Sequence, residues 1–229
     1  MCNSRATSKE HIPPKVFFPK IQELPDGNNY RKNLIRVPSC DRHNTNKSGY
    51  DLYVHTIIVT GLFSNIVAQQ HFDKDTMPRM RKKPELYKIF LKNTKPVIAN
   101  GLPSISYEIE KDKIDYFFTC LAKGLYYKEF GNKWNEKLWI EYLNIFRGSK
   151  PEELMRDDRE RGYLRTITRK FFESSIKKGE NPQVFYYQVH EEKPFGYMFR
   201  IVFYEKFSVL IIPKSSMKEE MKKIHKPSL

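Results

Sequence analysis

Thr7-Ser8-Lys9-Glu10-His11-Ile12-Pro13-Pro14-Lys15 and Cys40-Asp41-Arg42-His43-Asn44-Thr45-Asn46-Lys47, with Asn33-Leu34 between them, carry the most information in this 229-residue chain. Short β-prone runs at 15–18 and 34–37 flank Pro25-Asp26-Gly27-Asn28-Asn29, which has the residue types of a loop. From Asn44 onward the pattern turns helical. Each residue has an ordinary reading by itself. Glu10-His11 can be a polar pair at a strand end, Asn33 a turn residue and Asn44 the N-cap of the next helix, with Cys40 a buried thiol and His43 a surface imidazole. Their joint occurrence, in this order and ahead of a helix, asks for three coincidences at once.

An acidic residue directly before a His, an Asn-Leu about twenty residues later, and a C-x-x-[CH]-N-x-x-K turn opening a helix resemble the HNH endonuclease motif, here in an H-N-N version. The resemblance implies a small ββα-metal domain and hydrolysis of phosphodiester bonds. That chemistry needs an attacking water, a base for its proton and positive charge at the leaving oxygen. On the resemblance His11, at the end of the first strand, is the general base, since a neutral imidazole accepts a proton near pH 7. Glu10 and Asn44 are oxygen ligands to one divalent cation, Mg²⁺ or Mn²⁺, and Asn33 is a loop brace that orients the catalytic His. Many compact HNH domains also carry zinc knuckles in place of a core. Cys40-x-x-His43 stands where one pair would be, and Cys2 where the second Cys of the other would be. Three alternatives follow: a further Cys upstream of Met1, a lost ligand, or no zinc.

The likeness extends more weakly along the chain. Proteins of bacterial origin with an E-H-x-P-P-K HNH segment often continue with an S-x-x-D-like helix opening, a K-G-L-Y-Y run and an N-P-x-V-F-x-Y strand. Here these are Ser48-Gly49-Tyr50-Asp51, residues 123–127 and residues 181–187. For that group the resemblance implies nuclease activity and defence against phage or mobile DNA; a regulatory partner such as an ATPase is an open expectation, and three scattered cysteines fit a reducing cytoplasm better than secretion.

Further out, apolar spacing predicts a helix over 50–70 and another over 83–93. The basic run 79–83 reads either as a solvated face or as a phosphate-binding patch; Arg79, Arg81, Lys82 and Lys83, with Lys15, Arg42 and Lys47, are the candidate nucleic-acid contacts. Alternation predicts a strand over 104–109, and Asp112 stands where an N-cap would open a helix to Tyr127. Helices are expected over 136–146, 151–155 and 159–177, with a break over 178–182. Residues 184–189 and 198–212 are dense in aromatic and β-branched types around Pro194-Phe195-Gly196, which predicts an antiparallel hairpin or small sheet.

Composition sets outer bounds. A formal net charge of +14 attracts polyanions, DNA foremost, although a basic balance also simply aids solubility. Three scattered cysteines make no disulfide framework, and neither a signal-peptide h-region nor a membrane-length apolar run is present. No Gly-rich phosphate loop, G-x-S-x-G elbow or H-E-x-x-H motif anchors another enzyme class. Cys120 reads as a core thiol and Asp157-Asp158 as part of a salt-bridged helix. The expected fold is α+β: a ββα-metal domain over 1–60, a mainly helical accessory region with a C-terminal hairpin or small sheet over 61–214, and a basic tail over 215–229. Two other function classes fit the same residues. One is a zinc-knuckle module that binds nucleic acid without cutting it; the other is an interaction subunit with a vestigial nuclease site.

Overall fold

The run of β-branched and aromatic residues near the C-terminus builds the centre of the molecule. A computed structural model of the chain describes residues 6–25, 27–61, 64–88, 92–99, 102–147, 150–192 and 196–216, and for 41–48, 86, 99, 102, 151 and 192 the backbone alone. Two strand pairs come first in the chain, β1 (Ser8–His11) with β2 (Arg36–Ser39) and β3 (Lys95–Ala99) with β4 (Leu102–Ser106). The main sheet holds β5 (Leu138–Tyr142), β6 (Lys178–Asn181), β7 (Phe185–Glu192), β8 (Gly196–Phe203) and β9 (Phe207–Pro213). Its order is β5-β9-β8-β7-β6, antiparallel throughout. The expected hairpin is thus a five-stranded sheet.

Helix α1 (Asp41–Thr60) follows β2 directly; α2 (Ile66–His71) leads through a π turn, Phe72–Thr76, into α3 (Met77–Lys82), and a short α4 (Pro84–Tyr87) comes next. The long α5 (Lys111–Phe130) places Ile114, Phe117, Phe118, Leu121, Ala122 and Leu125 on one buried stripe, the i, i+3, i+4, i+7 spacing of a core-facing helix. It ends at Gly131, whose φ of 69° gives the left-handed cap that closes the last turn onto the Tyr127 carbonyl. Helix α6 (Pro151–Phe171) lies toward the other sheet face, where Phe172 meets Trp139, Met198 and Ile212.

The N-terminal segment shares this core. Ile12, Phe17, Phe18, Leu24, Tyr30 and Val37 belong to one continuous buried cluster with α1, α5 and the main sheet. The Phe17 ring sits 5.2 Å from Phe117 and 4.7 Å from Phe203. The core therefore runs across the boundary expected at residue 60, and the first sixty residues do not lack apolar support. The connection is tight at Gly124 of α5, where an added Cβ would lie 3.1 Å from Ile12.

Several local expectations are corrected. Residues 136–146, expected helical, contain strand β5: Leu138 and Ile140 turn to the main core while Trp139 turns to Phe172, the period of two that edge pairing with β9 imposes. The two helices expected over 151–177 are one, α6, carried across its middle by the Asp157–Arg161 ion pair at i, i+4 spacing. Residues 178–181 form strand β6 rather than only a break, and Lys15–Phe17 is a 3₁₀ turn rather than a strand. Of the helix expected over 83–93, the described residues hold the one turn of α4. Helix α1 starts at Asp41, three residues before the helical pattern expected from Asn44, and ends at Thr60 with Gly61 as its cap, short of the expected 70. Among the described residues, no helix is long and apolar enough to cross a membrane.

Candidate functional site

Strands β1 and β2 pair antiparallel with His11 opposite Arg36, Glu10 opposite Val37 and Ser8 opposite Ser39. The ladder is continued at one end by Ile12 N–H donating to the Ile35 carbonyl at 3.0 Å. Pro13 and Pro14 then stop it, because neither has an N–H to donate. At the other end β2 passes through Cys40, extended at φ −98° and ψ 153°, straight into α1. The chain order at this place is β-β-α, and the last residue of β1 is His11.

His11 is half-buried, and its Nε2 accepts a hydrogen bond from Arg36 Nε at 3.0 Å. Burial, with the positive charges of Lys15 and Arg36, holds the imidazole below its ordinary value against the opposing pull of Glu10. The ring is thereby kept unprotonated in neutral solution, with its proton affinity reduced. On the other side of the ribbon the Glu10 carboxylate accepts from the Ser39 hydroxyl at 3.3 Å. Ser39 directly precedes the residue that caps α1, so this bond turns the Glu10 carboxylate back from its place opposite Val37 toward the end of the ribbon from which the helix starts, while His11 stands at the other end opposite Arg36.

Asn44 lies in the first turn of α1, with Arg42, His43 and Lys47 on the same stretch. Their side chains lie outside the described residues, as does all of Cys2. Asn33 is exposed in the turn ahead of β2, at φ 53°. The hydrogen bond to His11 comes from Arg36, and none from Asn33 is present among the described residues. Cys40 is a half-buried cysteine that is in no disulfide. Among the described residues, no group of three or more His, Cys, Asp and Glu side chains is gathered as a metal site. The expected zinc ligands Cys2 and the side chain of His43 lie outside the described residues.

Of the candidate nucleic-acid contacts, Lys15 is exposed beside His11. Arg79 is paired with Asp75 one turn earlier, so its charge is spoken for, whereas Arg81, Lys82 and Lys83 are exposed at the end of α3. Arg36 was not singled out by sequence reasoning, and neither were Tyr50 and Tyr116. The two tyrosine rings meet edge to face at 5.4 Å. Tyr116 is pushed up to about 12 by burial first, then by Cys120, Tyr50 and Glu10. Cys120 is half-buried against Tyr116 rather than a core thiol. Strand pairing was the signal that could have found Arg36, since it stands at the mirror position of His11 in the ribbon.

A second polar cluster lies deep in the core. His55 Nε2 is 3.4 Å from His71 Nδ1, which is 3.0 Å from the Tyr204 hydroxyl, and that hydroxyl donates to the Phe17 carbonyl at 2.6 Å. With the hydroxyl proton so committed, Nδ1 of His71 is the donor to Tyr204. His71 Nε2 lies 3.8 Å from both Glu23 and Asp75. Burial dominates even so: His71 drops to about 4 and His55 falls well below its ordinary value. The cluster ties the N-terminal segment, α1, α2 and the β8–β9 turn together. Compared with protein-family models, with curated proteins and with solved structures, the chain shows no match.

Proposed function

We propose that this chain is a metal-dependent endonuclease of the HNH, ββα-metal kind, hydrolysing phosphodiester bonds of nucleic acid, DNA foremost. The observation that carries the reading is His11: the last residue of β1, neutral by its surroundings, beside the cations Arg36 and Lys15, on a ribbon that runs directly into the helix bearing Asn44. His11 takes the proton of the attacking water at Nε2. In the resting geometry that nitrogen accepts from Arg36. An arriving phosphate, carrying full negative charge, draws the guanidinium onto its own oxygens and leaves the His11 lone pair to the water.

Glu10 and Asn44 are hard oxygen donors and suit a single Mg²⁺ or Mn²⁺. Such an ion, when bound, supplies positive charge at the leaving oxygen. Lys15, together with the exposed Arg81, Lys82 and Lys83, adds attraction for the phosphate backbone, and the net charge of +14 raises the encounter rate with polyanions. A role in defence against phage or mobile DNA, under control of an ATPase partner, is part of the same proposal.

The test is cleavage of supercoiled plasmid, single-stranded DNA and RNA by the purified chain with Mg²⁺ or Mn²⁺. Wild type is expected to cut, and His11→Ala to lose about 10²–10⁴-fold in rate while still binding. A His11→Ala protein that cuts at full rate removes the mechanism. Binding by wild type without cleavage in either metal replaces it with the non-catalytic nucleic-acid-binding reading.

A further inference from the structure

Tyr197, Phe199, Ile201 and Phe203 of β8 enter the large core, so Met198, Arg200 and Val202 lie on the opposite face of the main sheet, the one toward α6. Arg200 stands on the middle strand of the five, opposite Gln188 of β7 and Leu210 of β9. It is half-buried, and its guanidinium carries five N–H donors. Nη1 donates to Gln188 Oε1 at 2.9 Å and Nε to Ser208 Oγ at 3.3 Å, both neutral acceptors. The Gln188 oxygen is fixed toward Arg200, because its amide nitrogen is spent on the Phe172 and Ser175 carbonyls at 2.7 and 2.8 Å. The other donors of Arg200 have no acceptor among the described residues, and no carboxylate pairs with it there. Arg161, the arginine buried between α6 and β5, has both Glu141 and Asp157.

The charged side chain that acts on Arg200 is a second cation. Arg169 follows Arg161 and Arg165 at i, i+4, i+8 along the docked side of α6, and its charge reaches both Arg200 and Tyr186. Tyr186 lies diagonal to Arg200 on the same sheet face, and Lys177 Nζ stands 5.0 Å from the centre of its ring. Arg169 and Lys177 are exposed, and neither is in an ion pair among the described residues. Glu205, which also acts on Tyr186, is held by Asn65 Nδ2 at 3.0 Å. Burial foremost holds the Arg200 guanidinium below its ordinary value; Tyr186 opposes this and Arg169 adds to it. A desolvated cation beside another cation is costly, and an anion on the open donors removes that cost.

We infer that Arg200, where the sheet meets the end of α6, binds the phosphate group of a small phosphomonoester, with Arg169 and Lys177 adding charge from the rim. A guanidinium fork matches a tetrahedral oxyanion two oxygens at a time. The monoester carries about −1.5 to −2 charge near pH 7, which suits a site of three cations. A recessed donor is reached end-on by a terminal phosphate, whereas a diester within a continuous strand brings chain on both sides. The β1–β2 ribbon bearing His11 packs through Ile12 on Gly124 of α5, in the core on the other face of the sheet. This site is therefore separate from the proposed nuclease centre and does not rest on that reading.

The experiment is thermal unfolding of the full chain in inorganic phosphate, and in acetate or chloride at matched ionic strength. Phosphate is expected to raise the midpoint saturably in wild type, and acetate and chloride are not. The half-effect concentration should rise about tenfold in Arg200→Gln, which loses a charge-assisted donor. It should rise about threefold in Arg169→Ala and in Lys177→Ala, whose exposed positions keep the test open if Arg200→Gln fails to fold. Arg36→Gln, at the ribbon, should respond as wild type does. No rise specific to phosphate, an equal rise in acetate, or a rise unchanged in Arg169→Ala and Lys177→Ala overturns the inference; loss of the rise in Arg36→Gln alone places the phosphate at the ribbon and overturns it too. A nucleoside monophosphate should protect at least as well as inorganic phosphate. An oligonucleotide without a terminal phosphate that protects equally, and loses this in Arg169→Ala and Lys177→Ala, overturns the monoester assignment in favour of a backbone phosphate.

Discussion

At His11 the decisive quantity is the proton affinity of one nitrogen. Burial, Lys15 and Arg36 all act to keep it low, and Glu10 alone acts to raise it. A base must be deprotonated to work, so the acid limb of kcat/KM is expected below the ordinary imidazole value of about 6.5. Arg36→Gln removes one of the two cations and should move that limb upward, with a rise in KM if the guanidinium also meets the phosphate. The same upward shift should be seen directly in an NMR titration of the His11 ring; a ring that titrates unchanged in Arg36→Gln shows that Arg36 does not set its basicity. Tyr204 illustrates a different use of a single residue. It adopts φ 47°, uncommon for a non-glycine residue, at the β8–β9 turn, and its fully buried ring reaches Phe17 and His71 from there. The hairpin geometry and the N-terminal segment are thus pinned by one side chain.

Among the elements, the join between α2, α1 and the hairpin carries a pH dependence of stability. His71 faces His55 from α1, Tyr204 from the turn, Glu23 from the 3₁₀ turn Ile21–Glu23, Asp75 and Arg79 from the π turn and α3, and Arg31. Its folded value of about 4 lies below the unfolded one near 6.5. The unfolded chain therefore takes up a proton first, and stability present above pH 6.5 is lost as pH falls toward 4, on the order of 3 kcal/mol for full titration. Buried His55 acts in the same direction. Denaturant titrations at pH 7.5 and pH 5 are expected to show this loss, with His71→Gln showing less of it; equal slopes in both proteins would remove His71 from the account. The join between α6 and β5 is of another kind. Arg161 and Glu141, 2% and 5% exposed, form a buried ion pair to which the exposed Arg147 adds. Arg161→Ala leaves a buried carboxylate with only a solvated partner and should cost about 3 kcal/mol in chemical denaturation. An Arg161→Met/Glu141→Leu pair, which removes both charges, should cost less than the single change.

For the molecule as a whole, the continuity of the core decides how the candidate nuclease segment is held. Phe17 is fully buried among Phe117, Phe203 and His55, so Phe17→Ala should lose about 3–5 kcal/mol. Because the core is shared, thermal unfolding should stay a single transition that moves as one, rather than splitting into an early N-terminal step. Apolar support of this kind also separates folding from metal. Chelation with EDTA is expected to abolish cleavage while leaving the unfolding midpoint of the chain in place, and a midpoint that drops on chelation would return the N-terminal segment to a metal-held design.

The sequence by itself determined those features that depend on short-range chemistry. Residue type and spacing set the order of Glu10-His11, Asn33 and Asn44 ahead of a helix, the existence of a helix from near Asp112 to Tyr127, though it is capped at Glu110 and runs to Phe130, the β character of 184–212 and the pairing of Asp157-Asp158 with arginines. Tertiary structure decided everything that needed a distant partner. The 136–146 segment is apolar at spacings a helix could also use, and only the open edge of β9 made it a strand. Arg36 became the partner of His11 through the register of a ribbon that closes residues 25 positions apart. The buried cluster of His55, His71 and Tyr204 joins residues up to 149 positions apart, and α6 turns a polar side inward because ion pairs, which no hydrophobic periodicity records, hold it there. Local propensity is written along the chain; burial, register and the choice of which helix face turns inward are settled by what else arrives at the same place.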